Sequence, residues 1–177
     1  MTSSTLERIA PSLPHTAELP ARFKAAMRGV AGTVTIVTAT QGERFVGMAA
    51  TAFSAVSMDP PSLLVCVNTD ASIHAAIVKT RSFCVNILHR SNEAVCHYFG
   101  GKFTQEERFA ATEWKATERG LPYLVSSQAT LECELSDSID HGSHSIFVGN
   151  VLATRLGDAI NPLLYLNGRY ESIAAHG

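Results

Sequence analysis

The chain has 177 residues, 46% of them hydrophobic and 17% charged, and a formal net charge of −2. That length predicts one domain with a core of ordinary size. No basic stripe is present to recruit nucleic acid, and no apolar run reaches the roughly 18–20 residues of a membrane span.

Residues 1–18 contain Pro11 and Pro14, with Pro20 just beyond, and no apolar leader-like run. They read as a flexible N-terminal arm ahead of one domain over 19–177, and an arm wrapped round a subunit partner is the alternative. A short helix is expected over 19–30, with Phe23, Met27 and Val30 on one face. TVTIVTAT (33–40) is β-branched and predicts a strand. Gln41-Gly42-Glu43 predicts a turn, and RFVGMAATAF (44–53) a returning strand.

SAVSMDPP (54–61) is expected to be a loop, because its prolines cannot donate to a ladder. SLLVCVN (62–68) predicts a buried strand, 72–79 a short helix, and SFCVNIL (82–88) another strand. Residues 91–99 and 105–109 read as helices separated by Gly100-Gly101. TLECELSD (130–137) alternates, with Leu131, Cys133 and Leu135 on one face and Glu132 and Glu134 on the other. HSIFVGNVLATRL (144–156) predicts a long strand apolar on both faces, and LLYLNGRY (163–170) one last strand. About seven strands with hairpin-scale connections predict a mostly β protein: an antiparallel barrel with peripheral helices.

The chain has no GxGxxG after a strand, no GxxxxGK[ST], no GxSxG and no HExxH. A Rossmann site, a P-loop, a serine-hydrolase elbow and a zincin are therefore unsupported. His141 and His144 have metal-like spacing but no completing set, so no metal is expected. Cys66, Cys84, Cys96 and Cys133 form no CxxC pair. They read as free buried thiols, in keeping with a reducing cytoplasmic setting.

Two segments can carry ligand chemistry. Thr51, Ser54 and Ser57 place hydroxyls at a strand-to-loop junction, and Ala50, Ala52 and Ala55 between them let a flat ligand approach the backbone. Asn68-Thr69-Asp70-Ala71-Ser72 leads into a helix, where free amides and hydroxyls can receive a phosphate. Taken as residues alone, both also fit an ordinary turn and an ordinary helix cap.

The order FKAAMRGVAGTVTIVTA, GMAATAFSAVSMDPPSLLVCVN, FCVNIL, ERFAATEW, GSHSIFVGNV and PLLYLNGRY resembles the flavin reductase-like family over about 22–171. In particular it resembles the short-chain reductases of two-component flavin-dependent monooxygenases. The TAFSAVSMDPP string is the most specific part. The resemblance implies a split, antiparallel Greek-key β-barrel, usually a homodimer. It implies an NAD(P)H:flavin oxidoreductase that passes hydride from NADH or NADPH to FMN or FAD and supplies reduced flavin to a monooxygenase.

It further implies that Met48, Ala49, Ala50, Thr51, Ala52, Phe53 and Ser54 line the isoalloxazine. Asn68 and Ser72 would lie near the ribityl chain and phosphate, and Asn86 in the same pocket wall. His144 would hold the nicotinamide nucleotide, with Arg169 and Tyr170 closing that side. The family's Gly-Asp-His motif stands here as Gly142-Ser143-His144, so the acid is missing. No arginine pair for a 2′-phosphate is evident, which favours NADH. The rival readings are a flavin-binding electron carrier or sensor on the same barrel, an oxidase of the pyridoxamine-phosphate type, and a plain assembly subunit.

Overall fold

The computed structural model describes residues 17–173, so the arm expected over 1–18 lies almost entirely outside the described residues. Helix α1 spans Leu19–Met27, with Pro20 in its first turn, where no amide is needed. None of its residues is buried. Leu19, Phe23, Met27 and the following Val30 all lie exposed.

The framework is a seven-stranded antiparallel sheet. Its strands are β2 (Thr35–Gln41), β3 (Arg44–Ala50), β4 (Phe53–Met58), β5 (Pro61–Asn68), β6 (Ser82–Ile87), β9 (Ala129–His141) and β10 (His144–Leu156). They are ordered β3-β2-β6-β9-β10-β5-β4, so the two edge strands, β3 and β4, are consecutive in the chain. Ala50 and Phe53 are three Cα steps apart, at most about 11 Å. Six strand spacings in a flat sheet would separate them by roughly 29 Å. The sheet must therefore curl until its edges meet at Thr51-Ala52. This is the antiparallel barrel architecture expected from the strand pattern, with helices at its periphery.

Two expectations are corrected here. Residues 53–58 form strand β4 instead of a loop, and the chain turns at Asp59-Pro60 into β5, with Met58 opposite Pro61. The prolines are tolerated because Pro60 lies in the turn and Pro61 is the first residue of β5, one position beyond Ser62, where the pairing with β10 ends. The strand expected over 44–53 is broken at Thr51-Ala52, which forms the corner between the two edges.

LLYLNGRY is likewise a hairpin and not one strand. Strand β11 (Leu164–Leu166) turns through Asn167-Gly168 into β12 (Arg169–Glu171), and both central residues have positive φ, 50° and 83°. With β1 (Gly32–Thr33) it makes a separate three-stranded sheet. A further ribbon, β7 (Trp114–Ala116) with β8 (Pro122–Leu124), was not anticipated.

The interior of the curled sheet is filled by Val37, Val65, Phe83, Val85, Cys133 and Phe147, and helix α2 (Ser72–Thr80) adds Ile73 and Ile77. Leu131, Cys133 and Leu135 face inward as their alternation predicts. Glu132 is also buried, because Arg119 meets it at 3.4 Å. Strand β10 is covered only in its first half; Leu152 and Leu156 lie exposed. Outside β3 sit α3 (Glu93–Phe99) and α4 (Gln105–Ala110). Their aromatic residues pack with Trp114, whose ring centroid lies 4.8 Å from Phe109 and 5.5 Å from Phe99.

Candidate functional site

The corner where the edges meet is surrounded by three cavities. One of about 380 Å³ lies between Gly47–Ala49, the start of α2, and α3–α4. A second, about 180 Å³, lies beside Ala49, Ala50 and Thr51 and is closed by Cys96, Tyr165 and Tyr170. The third, about 450 Å³, joins Thr51 and Ala52 to Lys24, Arg28 and the β11–β12 turn. The segment Met48–Ala52 thus lines all three in succession.

Phe53 turns toward the barrel core, and Ser54 is an exposed edge residue whose hydroxyl donates to the Ala55 carbonyl at 3.2 Å. Asn68 ends β5, and its Oδ1 accepts the Asp70 amide at 2.8 Å, which tightens the turn into α2. The N-cap residue of α2 is Ala71, which offers no side-chain oxygen, so the first-turn amides at Ser72 and Ile73 are not capped by it. Ala71, Ser72 and Ile73 line the first cavity.

Two residues of this cavity were not anticipated. Gln105 on α4 accepts the Gly47 amide at Oε1 (3.0 Å), and its Nε2 donates to Ser72 Oγ (3.0 Å) and to the Gly47 carbonyl (3.3 Å). Arg108 donates from Nη1 to the same carbonyl at 2.8 Å and from Nε to the Phe103 carbonyl at 3.1 Å. These bonds cap the outer edge of β3, which has no strand beyond it. A Cβ at Gly47 would lie 2.9 Å from the Phe99 ring, so only glycine allows the approach.

Arg108 is 9% exposed and has no carboxylate partner among the described residues. Burial lowers its pKa from the usual guanidinium range. Its Nη2 has no protein acceptor among the described residues, yet is not enclosed. The cavity lining therefore includes one cation and no acid. Neither Gln105 nor Arg108 can be picked out by spacing, since each reaches a strand about 60 residues earlier.

Asn86 is placed differently from the expectation of a pocket wall. It is 0% exposed and lines none of these cavities. Its Nδ2 donates to the Ile36 carbonyl (3.0 Å) and Thr38 Oγ1 (3.3 Å). Its Oδ1 accepts from the Leu124 amide (2.9 Å) and Thr130 Oγ1 (3.2 Å). All of its capacity is spent in the core.

His144 opens β10 directly opposite Asn68 and is exposed. Its Nδ1 meets Ser143 Oγ at 3.0 Å, and the Ser143 carbonyl accepts the Thr69 amide at 3.0 Å. Behind it, Ser145 Oγ donates to Asp140 Oδ1 (2.6 Å) and meets His74 Nε2 at 2.7 Å. With the Ser145 proton on Asp140, His74 Nε2 must be the donor. This chain ties α2 to the turn that carries His144.

Arg169 and Tyr170 lie on the other sheet and share no cavity with His144. The Tyr170 hydroxyl is within 3.2 Å of Cys96 Sγ, and burial raises its pKa. All four thiols are free. Burial raises Cys84, Cys96 and Cys133, the last to about 12, so none of these three is an activated nucleophile. Among the described residues no cluster of three His, Cys, Asp or Glu could hold a metal.

The seam Met48–Ala52 and the acid-free cavity beside it, lined by Ser72, Gln105 and Arg108, form a surface that can receive a flat, acceptor-rich ligand. The sequence matches the family described as flavin reductase like domain over residues 27–174, and the chain belongs to that family. It is 37% identical over 157 residues to the reductase component of an FADH(2)-dependent resorcinol hydroxylase from Rhizobium sp. (strain MTP-10005), covering 88% of each chain. It is 35% identical over 161 residues to an FMN reductase (NADH), RutF, from Pseudomonas syringae pv. syringae, covering 91% of this chain and 90% of that one. Among solved structures, the NADH:FAD oxidoreductase SgcE6 of Streptomyces globisporus, in complex with NAD and FAD fragments, superposes with a TM-score of 0.83. The identity there is 27%, over 90% of this chain and 96% of that one.

Proposed function

We propose that this chain is an NAD(P)H:flavin oxidoreductase that reduces FMN or FAD and supplies reduced flavin to a partner monooxygenase. The observation that carries this reading is the seam Met48–Ala52 beside an acid-free, donor-lined cavity at the start of α2. A flat ring fits against alanines and backbone amides, and a phosphate fits uncapped helix amides next to an arginine. The relatives' NADH-dependent flavin chemistry and the lack of an arginine pair for a 2′-phosphate favour NADH.

The bound cofactors supply hydride transfer from nicotinamide to flavin. The protein's part is placement. Met48 to Ala52 support the isoalloxazine, with Phe53 behind them in the core and Ser54 at the outer edge. Asn68 and Ser72 face the ribityl phosphate. His144, exposed beside Asn68, orients the nicotinamide nucleotide without acting as a proton donor. Arg169 and Tyr170 flank the opposite side of the seam. The core role of Asn86 is to hold β2, β6 and β8 in register beneath the site.

A second copy of the chain is the occupant we assign to the exposed α1 face of Leu19, Phe23, Met27 and Val30. Residues 19–177 are read as one domain, preceded by the arm. Free thiols support a cytoplasmic setting, and among the described residues no helix is long and apolar enough to cross a membrane.

Steady-state oxidation of NADH and NADPH, each with FMN and FAD, tests the activity. Flavin-dependent oxidation, faster with NADH, is expected. No flavin-dependent consumption in any of the four mixtures would refute it, and tight flavin retention without turnover would favour an electron carrier or sensor. His144→Ala is expected to raise the nicotinamide KM about tenfold, the loss of one hydrogen bond to a charged group, and to move the flavin KM far less. Equal small changes would reduce His144 to a strand-start residue.

A further inference from the structure

We propose that Gln105 is a positioning residue for the flavin phosphate: it sets the hydrogen-bond polarity of Ser72, so that the Ser72 hydroxyl donates into the cavity. The inference rests on reading the start of α2 as the phosphate end of the flavin site.

The orientation of the Gln105 amide is dictated by the backbone. Gly47 N–H is a donor only, and it points at Oε1 from 3.0 Å. Reversing the amide would set two donors against each other. The other atom is therefore the NH2 group, and the Gly47 carbonyl at 3.3 Å confirms the assignment from the opposite side. Arg108 also donates to that carbonyl, which fixes the strand edge the amide clasps.

The same NH2 group donates to Ser72 Oγ at 3.0 Å. Having no lone pair to offer, it cannot accept the serine proton. Ser72 is exposed and has no other side-chain hydrogen bond among the described residues, so its proton is left for a ligand. Ser72 and Ile73, with uncapped amides, line the same cavity as Arg108, whose Nη2 has no protein acceptor among the described residues. Every one of these groups is a donor. An acceptor-only group, a phosphate dianion, satisfies the set, whereas a ligand amine does not. Glutamate at position 105 would still accept the Gly47 amide but would lose the bond to the Gly47 carbonyl. It would also draw the Ser72 proton to itself and turn an acceptor toward the phosphate.

The experiment is a double-mutant cycle read by equilibrium binding of FMN and of riboflavin, which has the same ring and ribityl chain but no phosphate. Thermal midpoints are recorded alongside. Ser72→Ala and Gln105→Glu are each expected to weaken FMN about tenfold, with riboflavin changed less than about twofold and the fold retained. In the Ser72→Ala background, Gln105→Glu is expected to cost several-fold less than it does alone. Gln105→Met, with neither charge nor donor, is expected to weaken FMN about threefold and serves if the glutamate variant does not fold.

Equal effects of Gln105→Glu in both backgrounds would show plain charge repulsion and overturn the inference while leaving the phosphate placement intact. Equal losses for FMN and riboflavin would reduce Gln105 to a scaffold residue and overturn it as well. An unchanged FMN affinity in Ser72→Ala would overturn the phosphate placement, and the inference with it.

Discussion

Replacing Asn86 by leucine is expected to cost about 3–5 kcal/mol of stability, because a fully buried network loses its hub. One side chain joins the Ile36 carbonyl and Thr38 hydroxyl of β2, the Leu124 amide of β8 and the Thr130 hydroxyl of β9. Leucine matches the volume and satisfies none of these groups. The Leu124 amide is then left buried without a partner, which costs about 1–3 kcal/mol, and the Ile36 carbonyl, Thr38 and Thr130 each lose one of their bonds. The thermal midpoint should fall on the order of 10 °C, read by scanning calorimetry. The flavin KM of the folded fraction should stay within about twofold, since Asn86 lines none of the cavities at the seam. A variant of normal stability that loses flavin affinity would return Asn86 to the pocket wall.

Gly149→Ala is expected to cost about 2–3 kcal/mol by overpacking. Gly149 lies in β10, just after the register shift that follows Val148. A Cβ there would stand 2.6 Å from Phe83 Cζ and 3.0 Å from Cys133 Cβ. Phe83 is wholly buried among the core residues, so its ring cannot swing aside without displacing them. Urea denaturation should show a lower midpoint with an unchanged m-value. A midpoint equal to wild type would mean that β10 yields at its bulge and the core does not resist.

How much of this was legible depends on how far each residue reaches. Strands β2, β5 and β6 follow from short apolar and β-branched runs, and the inner face of β9 from local alternation, because these signals lie within each strand. The corner at Thr51-Ala52 is invisible in the pattern, since the apolar and small residues run through it without a break. Its existence follows from sheet order, which depends on pairings across the whole chain. Met58-Asp59-Pro60-Pro61 was misread because proline argues against a strand only where a neighbour needs its amide. The Asn167-Gly168 turn, by contrast, was a local hairpin signal and was overlooked.

The site divides in the same way. Ser72 and residues 48–52, which line the cavities, were singled out through composition together with family likeness, whereas Asn68, named on the same grounds, lines none of them. Gln105 and Arg108 were not, because their role is to hold the backbone of Gly47, whose need for them arises only once β3 becomes an edge. Asn86 was misassigned because a polar residue in an apolar run reads equally well as a ligand contact or a core hub. Only the positions of three other strands decide between them.

The chain contains a single tryptophan, and its ring rests against Phe99, which also lines the cavity at the start of α2. Its fluorescence is therefore an intrinsic optical probe of that corner of the molecule. Isoalloxazine absorbs where indole emits, so ligand seated at the seam draws excitation from Trp114 without any label being attached. Titrations at the level of individual variants can then follow occupancy and the integrity of the α3–α4 cap in one cuvette, through intensity and emission colour respectively.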